Sequence, residues 1–242
     1  MMTTIYVIHG WTYTVEPWKR TIGELKEKGI KVEMLNVPGL TAPSNKVWTI
    51  EDYVKWADRN IPKGAIVLGH SNGGRILLNL LSEKPDKVKH LILVDAAGVY
   101  EENKKRDINR KASKVFAPLK KVKPLRKVYH KLLGASDYDR APENMKQTLS
   151  NMLESDKKLD ISKVTTPTTI LWGEKDTITP PRQAEKMKEL LPNAELNFYA
   201  NWTHAPYISD PSGFARAVAK TVKSINNADP ARSLTSKTTG VI

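Results

Sequence analysis

Ser71 stands in the run Gly69-His70-Ser71-Asn72-Gly73-Gly74, which fits the spacing G-x-S-x-G. The apolar residues Ala65-Ile66-Val67-Leu68 feed into it, and a helical pattern over 74–83 leaves it. A serine on such a strand-to-helix turn has its hydroxyl pushed out at the strand's C-terminal edge, where it can act as a nucleophile. Glycines two residues to either side let the neighbouring backbone pass closely. The backbone N–H of Asn72 then points to where an oxyanion would develop. Five matching residues alone say little, since glycine and serine are common. The strand before and the helix after give the motif its weight.

A serine nucleophile needs a base, and the chain has five histidines. His70 lies inside the motif, too close in sequence to fold back onto Ser71. His9 ends the first apolar run, His90 opens a later one, and His130 falls in a basic stretch. His204, in Asn201-Trp202-Thr203-His204-Ala205-Pro206, follows the last apolar run and precedes the last helical pattern. Loops at the C-terminal ends of strands are where an open α/β sheet gathers its site. An acid must then hold the imidazole's tautomer and stabilise its charged form. Asp176, in Trp172-Gly173-Glu174-Lys175-Asp176, follows the run over 168–172 and completes the order Ser71, Asp176, His204. Glu174 and Asp95 are the rival acids, one two residues away and the other at the end of the preceding run. A second oxyanion donor is expected from the loop after the first strand. There the backbone N–H of Trp11 is the candidate and Gly10 gives the chain room to turn.

The elements that must position these groups alternate along the chain. Apolar runs over 4–9, 32–37, 65–69, 90–95, 168–172 and 196–199 read as strands. Helical patterns over 17–28, 50–60, 74–83, 181–191 and 212–225 lie between and after them, several bounded by glycine or proline. Strands apolar on both faces and separated by helices imply an α/β fold with a mostly parallel sheet covered on both sides.

From 99 to 163 the rhythm breaks. No strand is legible there, but three helical stretches are: Ile108, Ala112, Val115 and Phe116 share one face, and Leu119, Val122, Leu125, Val128 and Leu132 another. Met145, Leu149 and Leu153 make a third. This stretch is expected to be a helical lid inserted into a core made of 1–98 and 164–226, with 227–242 a loose polar tail. Trp11 and Tyr13 from below, and Val99, Tyr100, Phe116 and Met145 from the lid, are the residues placed to line a pocket beside Ser71.

The net charge of +13 raises the question of a polyanionic partner. Between Lys104 and Lys131 there are 12 Lys or Arg and one acid, which leaves 27 basic and 25 acidic residues elsewhere. The basicity therefore belongs to the lid. A solvated helix face is the plain reading, with weak attraction of an anionic substrate or anionic membrane surface as the alternative. Nucleic acid is not expected, since no aromatic residues interleave as stacking platforms. The chain has no cysteine, no apolar run of membrane-spanning length and no metal-ligand spacing such as H-E-x-x-H. Its first residues lack the basic flank and apolar stretch of a signal peptide, so a cytoplasmic, metal-free and cofactor-free protein is the expectation.

Together, His9-Gly10, Gly69-His70-Ser71-Asn72-Gly73-Gly74, Trp172-Gly173-Glu174-Lys175-Asp176 and Trp202-Thr203-His204 resemble the α/β-hydrolase superfamily over residues 4 to 225. The resemblance points to its branch of small carboxylesterases, lactonases, carbon–carbon bond hydrolases and cofactor-free haloperoxidases. It implies a sheet of about six strands from which the family's first two strands are absent. Serine at 71 separates the chain from the dehalogenase and epoxide-hydrolase branches, which use aspartate there. Asn72 is a departure, since an apolar residue often follows the nucleophile. The resemblance implies acyl transfer from a small ester-like substrate. A lactonase, a carbon–carbon hydrolase, or a non-catalytic binder that keeps the fold are the alternatives.

Overall fold

The computed structural model describes residues 2–100 and 141–228. Phe116 and the basic stretch from Lys104 to Lys131 lie outside the described residues, as does 229–242. The elements in chain order are β1 (Thr3–Ile8), α1 (Lys19–Glu27), β2 (Ile30–Met34), α2 (Ile50–Asn60), β3 (Ala65–His70), α3 (Asn72–Glu83) and β4 (Val88–Val94). They continue with α4 (Glu143–Ser155), β5 (Thr168–Gly173), α5 (Pro181–Leu190), β6 (Ala194–Tyr199), the short α6 (Pro206–Ser209) and α7 (Pro211–Asn227).

Six strands form one sheet in the order β2-β1-β3-β4-β5-β6, and every pairing is parallel. The chain leaves β1 toward one edge and returns through β3 toward the other, so a switch point lies between β1 and β3. Loops leaving two such strands part in opposite directions and open a crevice at their C-terminal ends. Gly10 and Ser71 sit at that crevice.

Alternation along the strands builds the two cores. Val67 on β3 and Leu91 and Leu93 on β4 face one side, where they meet Ile76, Leu77 and Leu80 of α3 and Tyr53 and Val54 of α2. Their neighbours Ile66, Leu68, Ile92 and Val94 face the other side, against Leu25 of α1 and Phe214, Val218 and Val222 of α7. Both faces are buried, which is why these strands read as unbroken apolar runs.

Several boundaries differ from the sequence reading. The second strand is Ile30–Met34, not 32–37, because register with β1 pairs Thr3 with Ile30. Val37 is fully buried in the loop that follows, and its burial had extended the apolar pattern. The helix after Ser71 begins at Asn72 rather than 74. A short 3-10 turn, Glu16–Trp18, precedes α1, so the α-helix proper starts at Lys19 and not at 17.

Helix α4 is the described end of the expected lid. It is bound to the loop before α2: the Thr148 hydroxyl accepts the Trp48 N–H at 2.9 Å, and Asn151 donates to the Trp48 carbonyl at 3.1 Å. Its buried stripe is Met145, Leu149 and Met152, with Leu153 only half-buried. Among the described residues, no helix is long and apolar enough to cross a membrane.

Candidate active site

Ser71 has φ 50° and ψ −117°, a left-handed backbone that L residues avoid and that surrounding contacts must impose. Its N–H donates to the Val94 carbonyl at 3.1 Å, and its carbonyl accepts from Ala97 N–H at 2.9 Å. The flanking glycines are needed for contact. A Cβ on Gly69 would lie 2.7 Å from the Gly74 Cα, and one on Gly73 would strike the Ile8 carbonyl oxygen. The turn therefore presses against both its own helix and the end of β1.

His204 Nε2 lies 2.9 Å from Ser71 Oγ, and His204 Nδ1 lies 2.8 Å from Asp176 Oδ2. With Nδ1–H given to the carboxylate, Nε2 is left as the acceptor for the serine hydroxyl. Asp176 Oδ1 accepts the N–H groups of Ile178 at 2.7 Å and Thr179 at 3.0 Å. The Thr179 hydroxyl, 2.6 Å from Oδ2, has a single proton and gives it to this carboxylate. Burial raises the Asp176 carboxyl. The His204 hydrogen bond and charge, with Thr179 and Ile178, outweigh that effect and hold it below its ordinary value.

The rival acids are placed elsewhere. Asp95 directly follows β4 with its own positive φ of 42°, and its Oδ1 accepts the Gly173 N–H at 2.8 Å. Burial pushes its carboxyl well above the usual carboxylate range, which suits a neutral acid and not the partner of an imidazolium. Glu174 is exposed. Thr179 went unnoticed in the sequence reading, although a threonine three residues after an aspartate is a local cap pattern.

The histidine loop is fastened from several sides. The indole of Trp202 stacks on Tyr199 at 3.7 Å, and its Nε1–H donates to Asp210 Oδ2 at 3.2 Å. Asp210 in turn caps α7 by accepting Gly213 N–H at 2.9 Å. His70 Nε2 donates to the His204 carbonyl at 2.7 Å, while Trp18 and Tyr207 box the His70 ring. His9 is turned away from the site and bonds Thr41 Oγ1 at 2.8 Å, and His90 bonds Thr169 Oγ1 at 2.9 Å.

A cavity of about 220 Å³ opens over Ser71 and His204, walled by Gly10, Trp11, Asn72, Arg75, Leu149 and Tyr207 among others. Asn72 is the first residue of α3, so its N–H has no carbonyl to bond within the helix, and the helix N-terminus favours negative charge there. Trp11 lines the same cavity. A wider cleft of about 350 Å³ lies between β4–β6 and α7, beside Lys89, His90 and Lys220, and touches none of Ser71, Asp176 and His204. Size therefore does not locate the chemistry.

The expected pocket residues are only partly brought together. Gly10 and Trp11 line the cavity, whereas Tyr13 stands exposed outside it. Val99 is buried in the core, and Tyr100 is exposed with the Lys157 ammonium 5.8 Å from its ring centre. Met145 is also a correction: its side chain fills the space left by Gly39 in the core. Leu149, one turn further along the same face of α4, reaches the cavity in its place.

Known proteins bear on the family and the fold of this chain. The family model described as serine aminopeptidase, S33, matches residues 2–211. The chain belongs to this S33 hydrolase family. Its fold is the α/β-hydrolase fold: an alpha/beta hydrolase from a metagenome of lagoon sediments at Mar Chica, Morocco, superposes with a TM-score of 0.66 at 24% identity, covering 93% of this chain and 92% of that one. Among curated relatives, the pimeloyl-[acyl-carrier protein] methyl ester esterase of Nitrosomonas europaea is 23% identical, over 87% of this chain and 92% of its own length. The enzyme of that name from Neisseria meningitidis is 27% identical over 87% and 90%.

Proposed function

We propose that this S33-family chain is a serine esterase that cleaves carboxylic esters of small or medium acyl groups through an acyl-enzyme. The observation that carries the proposal is the unbroken line of hydrogen bonds from Ser71 Oγ through His204 to Asp176. Relatives named as methyl ester esterases support ester cleavage as the reaction class.

In the first step His204 Nε2 takes the Ser71 proton as Oγ attacks the ester carbonyl, and the N–H groups of Asn72 and Trp11 hold the oxyanion. Asp176 stabilises the imidazolium, which protonates the departing alkoxide. Water activated by His204 then attacks acyl-Ser71, releases the acid and restores the serine. The cavity of about 220 Å³ walled by the described residues suits a short acyl group better than a long one.

Hydrolysis of p-nitrophenyl esters of increasing acyl length, with Ser71→Ala as control, tests the reading. Turnover should fall by about 10⁴-fold or more in the variant. Turnover that survives Ser71→Ala overturns it. A wild-type protein inert to every ester but labelled at Ser71 by a fluorophosphonate keeps the nucleophile and overturns the ester as substrate.

A further inference from the structure

Arg75 is buried beneath the nucleophile turn. Its Nε and Nη2 donate to the two carboxylate oxygens of Asp156 at 2.7 and 2.8 Å, and its Nη1 donates to Asn72 Oδ1 at 2.6 Å. The side chains of Arg75 and Asp156 are only 5% and 10% exposed, so this forked pair is sheltered from water and holds the guanidinium in one orientation.

A guanidinium has donors and no acceptor. Asn72 must therefore turn its oxygen to Arg75, which leaves its Nδ2–H₂ group facing the other way. That group has no hydrogen-bond partner among the described residues. Asn72 and Arg75 both line the cavity over Ser71. Asp156 balances the charge of Arg75, so what this pair sets beside the cavity is a neutral amide rather than a trap for anions.

We propose that the Asn72 amide, oriented by the Arg75–Asp156 pair, is a specificity-determining donor that selects esters whose acyl group carries a neutral acceptor atom near the reacting carbonyl. An ether, keto or hydroxyl oxygen fits, and a plain alkyl chain leaves the donor unpaired. The inference rests on the esterase reading and deepens it.

The test compares p-nitrophenyl methoxyacetate with p-nitrophenyl butyrate, which differ by an oxygen in place of one methylene. The ratio of their kcat/KM values is measured for the wild type, for Asn72→Leu, and for Arg75→Met/Asp156→Met, which keeps Asn72 but frees its amide to turn. The difference in intrinsic ester reactivity is common to all three proteins and drops out. The ratio should fall roughly three- to tenfold in Asn72→Leu, the effect of one neutral hydrogen bond, and should fall also in the double variant. A ratio unchanged in whichever variants fold overturns the inference alone. A wild type that cleaves neither ester and resists a fluorophosphonate overturns the esterase reading and this inference with it.

Discussion

His70 Nε2 donates to the backbone carbonyl of His204 across 2.7 Å, so the residue before the nucleophile holds the loop that carries the base. A carbonyl can only accept, which fixes the proton on Nε2 and leaves Nδ1 bare; Nδ1 is buried without a partner. Burial pushes the His70 imidazole down to about 3, so the ring is neutral at pH 7. His70 thus ties the end of β3 to the loop after β6, across two intervening strands.

Replacing His70 with phenylalanine keeps a ring between Trp18 and Tyr207 and removes only the donor. The His204 loop should then lose its fixed position, and kcat should fall about tenfold to a hundredfold with KM little changed, since small displacements of a reacting group are costly. Steady-state kinetics on His70→Phe check this. A kcat equal to wild type would show that Trp202 and Asp210 hold the loop without help.

Asp176 and Asp95 end neighbouring strands' loops and both approach Thr179, whose hydroxyl is 2.6 Å from the Asp176 carboxylate and 3.0 Å from the Asp95 carbonyl. Only Asp176 reaches the imidazole. Asp176→Asn should lower kcat by about 10⁴-fold, because the amide no longer enforces the useful tautomer. Asp95→Asn keeps an acceptor for Gly173 N–H and should stay within about threefold of wild type. The reverse order of effects would make Asp95 the acid.

The two carboxyls also act oppositely on stability. Asp95 is raised by burial, so the folded state binds its proton more tightly than the unfolded chain, and its contribution to stability is lost as pH rises from its ordinary value of 3.8 through the folded value. Asp176 is lowered, so its contribution is present above its ordinary 3.8 and lost as pH falls through the folded value. Asp95→Asn removes the first slope and leaves the second. Urea midpoints measured from pH 4 upward should show the variant gaining on wild type until pH passes the folded value of Asp95. A difference that does not change with pH would mean that Asp95 does not take up a proton on folding.

Ser71, Asp176 and His204 were legible because each belongs to a short local pattern at a strand's end, and chain order sorts them. A parallel sheet of about six strands was legible for a similar reason, since strands buried on both faces write themselves as apolar runs. What was hidden depends on distance or angle. Arg75 and Asp156 are 81 residues apart, and a buried ion pair leaves no periodic trace. Met145 and Leu149 occupy the same stripe of α4, and only the way that helix lies on the loop around Trp48 sends Leu149 to the cavity and Met145 to the core. Val37 carried the strand pattern too far because a buried loop looks like a strand in composition.

The Arg75–Asp156 pair makes a last prediction about how the nucleophile helix is held. It bridges α3 to the residue just after α4, both partners nearly sealed from water. Arg75→Met alone strands a buried carboxylate and should cost about 3–5 kcal/mol, whereas an apolar replacement of both partners is often neutral or better. Arg75→Met/Asp156→Met should therefore recover most of what the single variant loses. Denaturant unfolding of the wild type, both single variants and the double gives the coupling directly. Losses that simply add would mean the two side chains act independently, and the bridge between α3 and α4 would then rest on apolar packing.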